Sequence, residues 1–142
     1  FDNYLKRQGY KFKNDTNDFG GYIILKNKKT FLTMDVGSSP GTKYSENYQA
    51  GSLSFEIIRN GRKLISNCGY YNKKKSKLNL LSRSTAAQST LTINDESSCK
   101  FNSISQISKG VKILEKKFSF KKNYWKIVAS HDGYLKKYNS IH

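Results

Sequence analysis

Histidine, cysteine and proline are scarce in this chain: two, two and one respectively among 142 residues. A zinc site takes three or four His, Cys, Asp or Glu ligands at suitable spacing, so His131 and His142 alone argue against a histidine-built metal centre. Cys68 and Cys99 lie too far apart for a CxxC redox or zinc motif. Each reads as a free buried thiol, with a disulfide between the two as the alternative. No run approaches the roughly 20 apolar residues that cross a bilayer, and the start lacks the charged-then-apolar order of a signal peptide. A glycine-rich phosphate cradle of the P-loop or dinucleotide type is missing as well. A serine with His131 and Asp132 does not read as a hydrolase triad, because neighbours along a strand point to opposite faces.

Acids are also few. Asp and Glu number 10 against 26 Lys and Arg, a net charge of +16. Such a charge makes a polyanion the natural partner, whether acidic polysaccharide, nucleic acid or anionic membrane. It is almost all lysine, in a chain also rich in Asn, Ile and Ser, which is the profile that AT-rich codon usage produces without selection for binding. The pairs and triplets Lys28-Lys29, Lys73-Lys74-Lys75, Lys116-Lys117 and Lys121-Lys122 fall where turns are expected, which predicts solvated loops for them.

A chain of this length folds as one domain that buries roughly 70% of the surface its unfolded form exposes, so it needs no disulfide to build a core. Period-two alternation recurs along it and sustained helical periodicity does not. Residues 22–25 and 30–36 read as strands around Asn27-Lys28-Lys29, followed by a loop at Gly37-Ser38-Ser39-Pro40-Gly41. Residues 52–59 and 62–68 flank Asn60-Gly61, the favoured pair for a type I′ hairpin, with Leu53, Phe55 and Ile57 sharing a face with Leu64 and Cys68. Residues 70–82 are polar and lysine-rich and read as a long exposed loop. Strands follow at 90–93, 98–101, 111–117, 118–120 and 124–130, with Trp125, Ile127 and Ala129 on one core face. Many short strands and hairpins at this spacing predict an all-β fold, an antiparallel β-sandwich. The start at Phe1 and the stop at Ile141-His142, within a strand-like run, suggest a piece of a longer protein.

Ten tyrosines and eight phenylalanines on a basic sheet would suit nucleic-acid stacking. The aromatics sit mainly at alternating, core-like positions, however, and no RRM-type aromatic motif is present.

Three segments carry a family signature. Gln49-Ala50-Gly51-Ser52-Leu53-Ser54-Phe55-Glu56, then Leu64-Ile65-Ser66-Asn67-Cys68-Gly69-Tyr70, then Ser82-Arg83-Ser84-Thr85-Ala86-Ala87-Gln88-Ser89-Thr90-Leu91 resemble, in order and spacing, the C-terminal domain of heparinase II/III-like polysaccharide lyases. Met34-Asp35-Val36-Gly37 and Ala129-Ser130-His131-Asp132-Gly133-Tyr134 agree, so the resemblance spans about residues 20–142. It implies a β-domain over residues 19–142, truncated at its C-terminal end, and a linker over residues 1–18 from a missing N-terminal α/α toroid. It also implies a substrate cleft between the two and a periplasmic or secreted parent. The implied reaction is β-elimination on uronic-acid polysaccharides, with the principal tyrosine and histidine supplied mainly by the toroid. This domain alone is then expected to be inactive, and its partners are an acidic polysaccharide and the toroid. A non-catalytic carbohydrate-binding or structural β-domain is the alternative, with nucleic-acid binding behind it and no membrane partner.

The resemblance further implies a structural zinc in the family's β-domain, whose three ligand positions fall on Gln49, Asn67 and Gln88, while an active-site histidine position falls near Asn47. All are neutral amides, which bind zinc poorly, so no metal cofactor is expected and a hydrogen-bonded cluster stands in its place. The substrate-binding candidates are Asn47, Tyr48, Arg83 and His131. Arg83 would make a bidentate contact to a uronate or sulfate, or else a salt bridge pinning its loop. His131 would face the cleft or be held by hydrogen bonds at a strand end. Tyr48 and Tyr70 would line sugar subsites or pack at the core rim.

Overall fold

The computed structural model describes Arg7 and residues 18–73, 76–103, 105–121 and 124–142. The expected linker lies outside the described residues apart from Arg7 and Asp18, as do Lys74, Lys75 and Lys122 of the lysine runs. Among the described residues the strands are β1 Asp18–Phe19, β2 Tyr22–Lys26, β3 Thr30–Asp35, β4 Phe55–Arg59, β5 Arg62–Ile65, β6 Lys100–Phe101, β7 Ile107–Lys109, β8 Ile113–Lys121 and β9 Tyr124–His131. β1 to β5 form one antiparallel sheet in sequence order, and β6–β7 and β8–β9 form two-stranded sheets. The fold is the expected all-β sandwich.

Register explains its core. β2 and β3 pair Ile23 with Met34 and Leu25 with Leu32, which puts all four side chains on one face. Ile23, Leu25, Val36 and Leu53 are buried there, and Phe118, Trp125, Ile127 and Ala129 of the β8–β9 hairpin pack onto them. Full burial of each such aliphatic side chain contributes about 1.5–3 kcal/mol, so this contact between sheets holds the domain together. The shared face of Trp125, Ile127 and Ala129 is as the alternation predicts.

The Asn60-Gly61 turn also matches its expectation, with φ of 49° and 75°, the positive values a type I′ turn requires. The face assigned to its second strand is corrected. A register shift between Ile57 and Ile58 pairs Ile57 with Ile65, and Leu64 is left 62% exposed. Cys68 is exposed too, beyond the end of β5.

Other elements differ from their sequence readings. The loop expected at 70–82 contains a helix, Lys77–Arg83, whose Ser76 cap accepts from the Leu78 amide at 3.2 Å. Its buried residues are Asn79, Ser82 and Arg83, spaced i, i+3, i+4, while Leu78, Leu80 and Leu81 face outward. A helix with a polar inner face gives no hydrophobic periodicity to detect. Lys116 and Lys117 lie within β8 rather than in a turn. Lys116 pairs with Asp18 of β1, and Lys117 with Glu115 at 2.6 Å. The segments 111–117 and 118–120 are largely one continuous strand, and 90–93 holds only a bridge between Ile93 and Glu96. After β9 the chain forms the short helix Leu135–Tyr138, and His142 then exchanges two backbone hydrogen bonds with His131, at 2.6 and 3.2 Å.

Candidate functional site

At one end of the large sheet, Tyr22 and Asp35 are register partners that close β2 and β3. Beside them the connection 47–54, the residue Asn67 after β5, and Gln88 after the short 3-10 turn Thr85–Ala87 complete a polar hollow of about 290 Å³. Asp35 terminates its strand by accepting the Gly37 amide at 2.9 Å, the local bond that aspartate makes two residues ahead. Gly37 also lies against Gly21, where a Cβ would come within 2.9 Å of the Gly37 Cα; with φ of +92° as well, position 21 admits only glycine without strain. Two strand ends therefore approach closely just where the hollow opens.

The wall facing those strands is held from behind by Arg83. Its side chain is 0% exposed, and it donates from Nε to the Tyr48 carbonyl at 2.7 Å and from Nη2 to the Ser45 carbonyl at 3.0 Å. Its guanidinium lies 4.1 Å from the centre of the Phe101 ring, and its own carbonyl accepts from the Ala50 amide at 2.8 Å. Thr85 Oγ1 donates to the Ala50 carbonyl at 2.8 Å, Thr90 Oγ1 to the Ser52 carbonyl at 3.0 Å, and Ser89 Oγ accepts from the Phe55 amide at 2.8 Å. The serine- and threonine-rich segment is thus a strap whose hydroxyls replace a strand ladder.

The amides Gln49, Asn67 and Gln88 all line the hollow. Gln88 Nε2 donates to the Ser82 carbonyl at 2.9 Å and to Gln49 Oε1 at 3.3 Å. Asn67 bonds elsewhere: its Oδ1 accepts from the Ser89 amide at 2.8 Å and from Ser89 Oγ at 3.0 Å, and its Nδ2 donates to Ser54 Oγ at 3.4 Å. Asn47 is exposed at the rim and accepts from the Tyr70 hydroxyl at 3.1 Å. Tyr48 borders the same hollow and packs against Ala50, Cys99 and Val111, with its hydroxyl 3.2 Å from both Ser39 Oγ and Ser52 Oγ.

The structure brings Asn47 and Tyr48 to the hollow and keeps Arg83 and His131 away from its walls. Arg83 is enclosed, held by backbone carbonyls and an aromatic ring rather than by an exposed anion site. His131 is 1% exposed, its Nδ1 accepts from the Gly133 amide at 3.0 Å, and its Nε2 lies 3.1 Å from His142 Nδ1. With Nδ1 accepting, the neutral ring carries its proton on Nε2 and donates to His142. Burial first, and His142 second, push the His131 pKa down to about 4.

Asp35, Tyr22 and Ser54 belong to the hollow without having been singled out from sequence. Burial pushes the Asp35 carboxyl up to about 6, opposed in part by the Gly37 amide. Tyr22 is raised by its own burial and then by the Asp35 charge. For Asp35 the available signals are an acid at the end of an apolar strand in a chain poor in acids, and its place in the Met34-Asp35-Val36-Gly37 stretch of the family resemblance.

The profile of the family described as heparinase II/III-like, C-terminal, matches residues 16–142. The chain belongs to this family. Neither a search of curated proteins nor one of solved structures gave a match. Among the described residues, no helix of this heparinase II/III-like domain is long and apolar enough to cross a membrane.

The zinc implied for the family can be tested against its donors here. At the three ligand positions stand neutral carboxamides, and both Nε2 protons of Gln88 are held by carbonyl oxygens. Among the described residues, Asp35 is the one acid on the wall of this heparinase II/III-like hollow. One carboxylate with amide oxygens falls short of the imidazole, thiolate and carboxylate sets that hold structural zinc, and the residues present do not fit the metal.

Proposed function

We propose that this domain is a supporting and cleft-forming part of a polysaccharide lyase whose full-length protein cleaves uronate-containing acidic glycans by β-elimination. In that reaction a base removes the proton beside the uronate carboxylate, a carbon–carbon double bond forms, and the glycosidic carbon–oxygen bond breaks as its oxygen gains a proton. The observation that carries the reading is family membership joined to a hollow walled by hydrogen-bonding amides, Asp35 and two tyrosines. Sugar recognition uses such planar amides, carboxylates and aromatic rings. The net charge of +16 favours approach of an acidic polymer.

The base and acid of the elimination are proposed to come from an N-terminal toroid domain. His131 is enclosed and bonded on both ring nitrogens, which suits a structural role. The outward leucines Leu78 and Leu81, with Tyr71 and Ala86, border an apolar depression that would suit packing against another domain. No zinc is proposed at Gln49, Asn67 and Gln88.

A second reading, carbohydrate binding without cleavage, is favoured by one observation: Asn47 and the three amides stand where the family pattern has histidines and a carboxylate. The test is to incubate the full-length protein with a panel of uronate polysaccharides and follow the ultraviolet absorbance of the unsaturated product, with this domain as control. Absorbance from the full-length protein alone supports the lyase reading. Binding with no absorbance change supports the second.

A further inference from the structure

The hollow has a charge opposite to that of the molecule around it. In a chain of net charge +16, no lysine or arginine among the described residues lines it, and Asp35 is the single acid among them that does. Asp35 Oδ1 is taken by the Gly37 amide, and among the described residues Oδ2 has no hydrogen-bond partner. Gln88 is oriented by its two Nε2 bonds, which leaves Oε1 as a free acceptor. Gln49 uses Oε1 on Gln88 and Asn47 uses Oδ1 on Tyr70, so the NH₂ group of each remains a free donor. The Tyr22 ring, 52% exposed, stands at the edge as a flat apolar face. Its volume, about 290 Å³, is at the small end for ligand pockets and suits a single sugar ring.

Free acceptors, free donors and an aromatic edge match the alternating hydroxyls and apolar faces of a pyranose. A uronate ring would place its carboxylate within several ångströms of Asp35 in a partly buried setting, where like charges repel strongly. We infer that this hollow is a subsite for an uncharged sugar ring of an acidic glycan, and that Asp35 excludes uronate from it. The uronates of such a polymer then lie on the basic surface outside the hollow. The assignment to an acidic glycan rests on the lyase reading above, whereas the preference for an uncharged ring rests on the hollow itself.

The test is a nuclear magnetic resonance titration of this chain at pH 7.5 with N-acetylglucosamine and, separately, glucuronate, following the side-chain amide signals of Asn47, Gln49, Asn67 and Gln88. The expected result is that N-acetylglucosamine shifts these signals and glucuronate binds at least about tenfold more weakly, the scale of one like-charge contact near the surface. Asp35→Asn, which keeps an acceptor for the Gly37 amide, should bring the two sugars within about threefold of each other, since most of that repulsion is gone. Asn47→Ala, at an exposed position, should weaken N-acetylglucosamine without disturbing the fold. Equal or tighter glucuronate binding in the unmodified chain, or no shift with either sugar, overturns the inference. Shifts without elimination by the full-length protein would remove the lyase reading and leave the subsite standing; elimination without shifts would do the reverse.

Discussion

Arg83 Nε donates to the Tyr48 carbonyl at 2.7 Å, tying the helix Lys77–Arg83 to the connection that carries Asn47, Tyr48 and Gln49. A side chain that resembles an anion-binding arginine in sequence is therefore the internal brace of the site wall. Replacing Arg83 with methionine would keep the stem and leave the Tyr48 carbonyl without a donor, while the Ser45 carbonyl keeps the Tyr48 amide, a loss of about 1–3 kcal/mol. Arg83→Lys recovers only part of it, because one ammonium does not reproduce two divergent N–H bonds and stacking on Phe101. Urea unfolding of the two variants checks this, and a methionine variant as stable as the parent would refute the brace.

Zinc should leave the thermal midpoint of this domain unchanged, as should chelator. The variant combining Gln49→His, Asn67→Asp and Gln88→His restores the ligand types that the family pattern places there. It should show a midpoint that rises with zinc concentration, since a metal that binds only the folded state stabilises by mass action. A zinc-dependent midpoint in the unmodified chain would contradict the reading that these residues do not fit the metal.

The half-buried Asp35 and the buried His131 oppose each other in acid. Asp35 has a folded pKa of about 6, above its unfolded value, so its contribution to stability is greatest in acid and declines as pH rises toward 6. His131, lowered to about 4, works the other way: stability falls as pH drops from its unfolded value near 6.5 toward 4. The slopes partly cancel in the unmodified domain. Asp35→Asn should therefore gain about 1–3 kcal/mol at pH 7 and lose stability more steeply on acidification. Denaturation at several pH values between 4 and 7 measures both effects, and an unchanged slope would count against the Asp35 assignment.

The cysteines should differ sharply toward thiol reagents. Cys68 is exposed, while Cys99 is buried and its thiol is pushed up to about 12 by desolvation, opposed only by the Arg83 charge. One thiol is expected to react promptly in the native state, and the second only on unfolding. Two prompt thiols would mean that the packing of Cys99 beside Ala50 and Val111 is wrong.

Local signals carried much of the fold. The Asn60-Gly61 turn was legible because only a few residues accept two successive positive φ values, and the face of Trp125, Ile127 and Ala129 because strand geometry alternates side chains. The helix Lys77–Arg83 was not, since its inner face is Asn79, Ser82 and Arg83 and its leucines point outward. Lys116 was misread as a turn residue because its partner, Asp18, is supplied by a strand nearly a hundred positions earlier.

The candidate site divides in the same way. The three family segments could be recognised from order and spacing, and with them Asn47, Tyr48, Gln49, Asn67 and Gln88. Sequence also determined that positions 47, 49, 67 and 88 carry amides rather than strong metal ligands, because that is a property of residue type alone. Only the tertiary structure decided that Asp35 and Tyr22 join them and that Arg83 and His131 do not. Burial, the direction of a side chain and the sign of charge inside a hollow depend on which distant segments meet, and no local pattern encodes them.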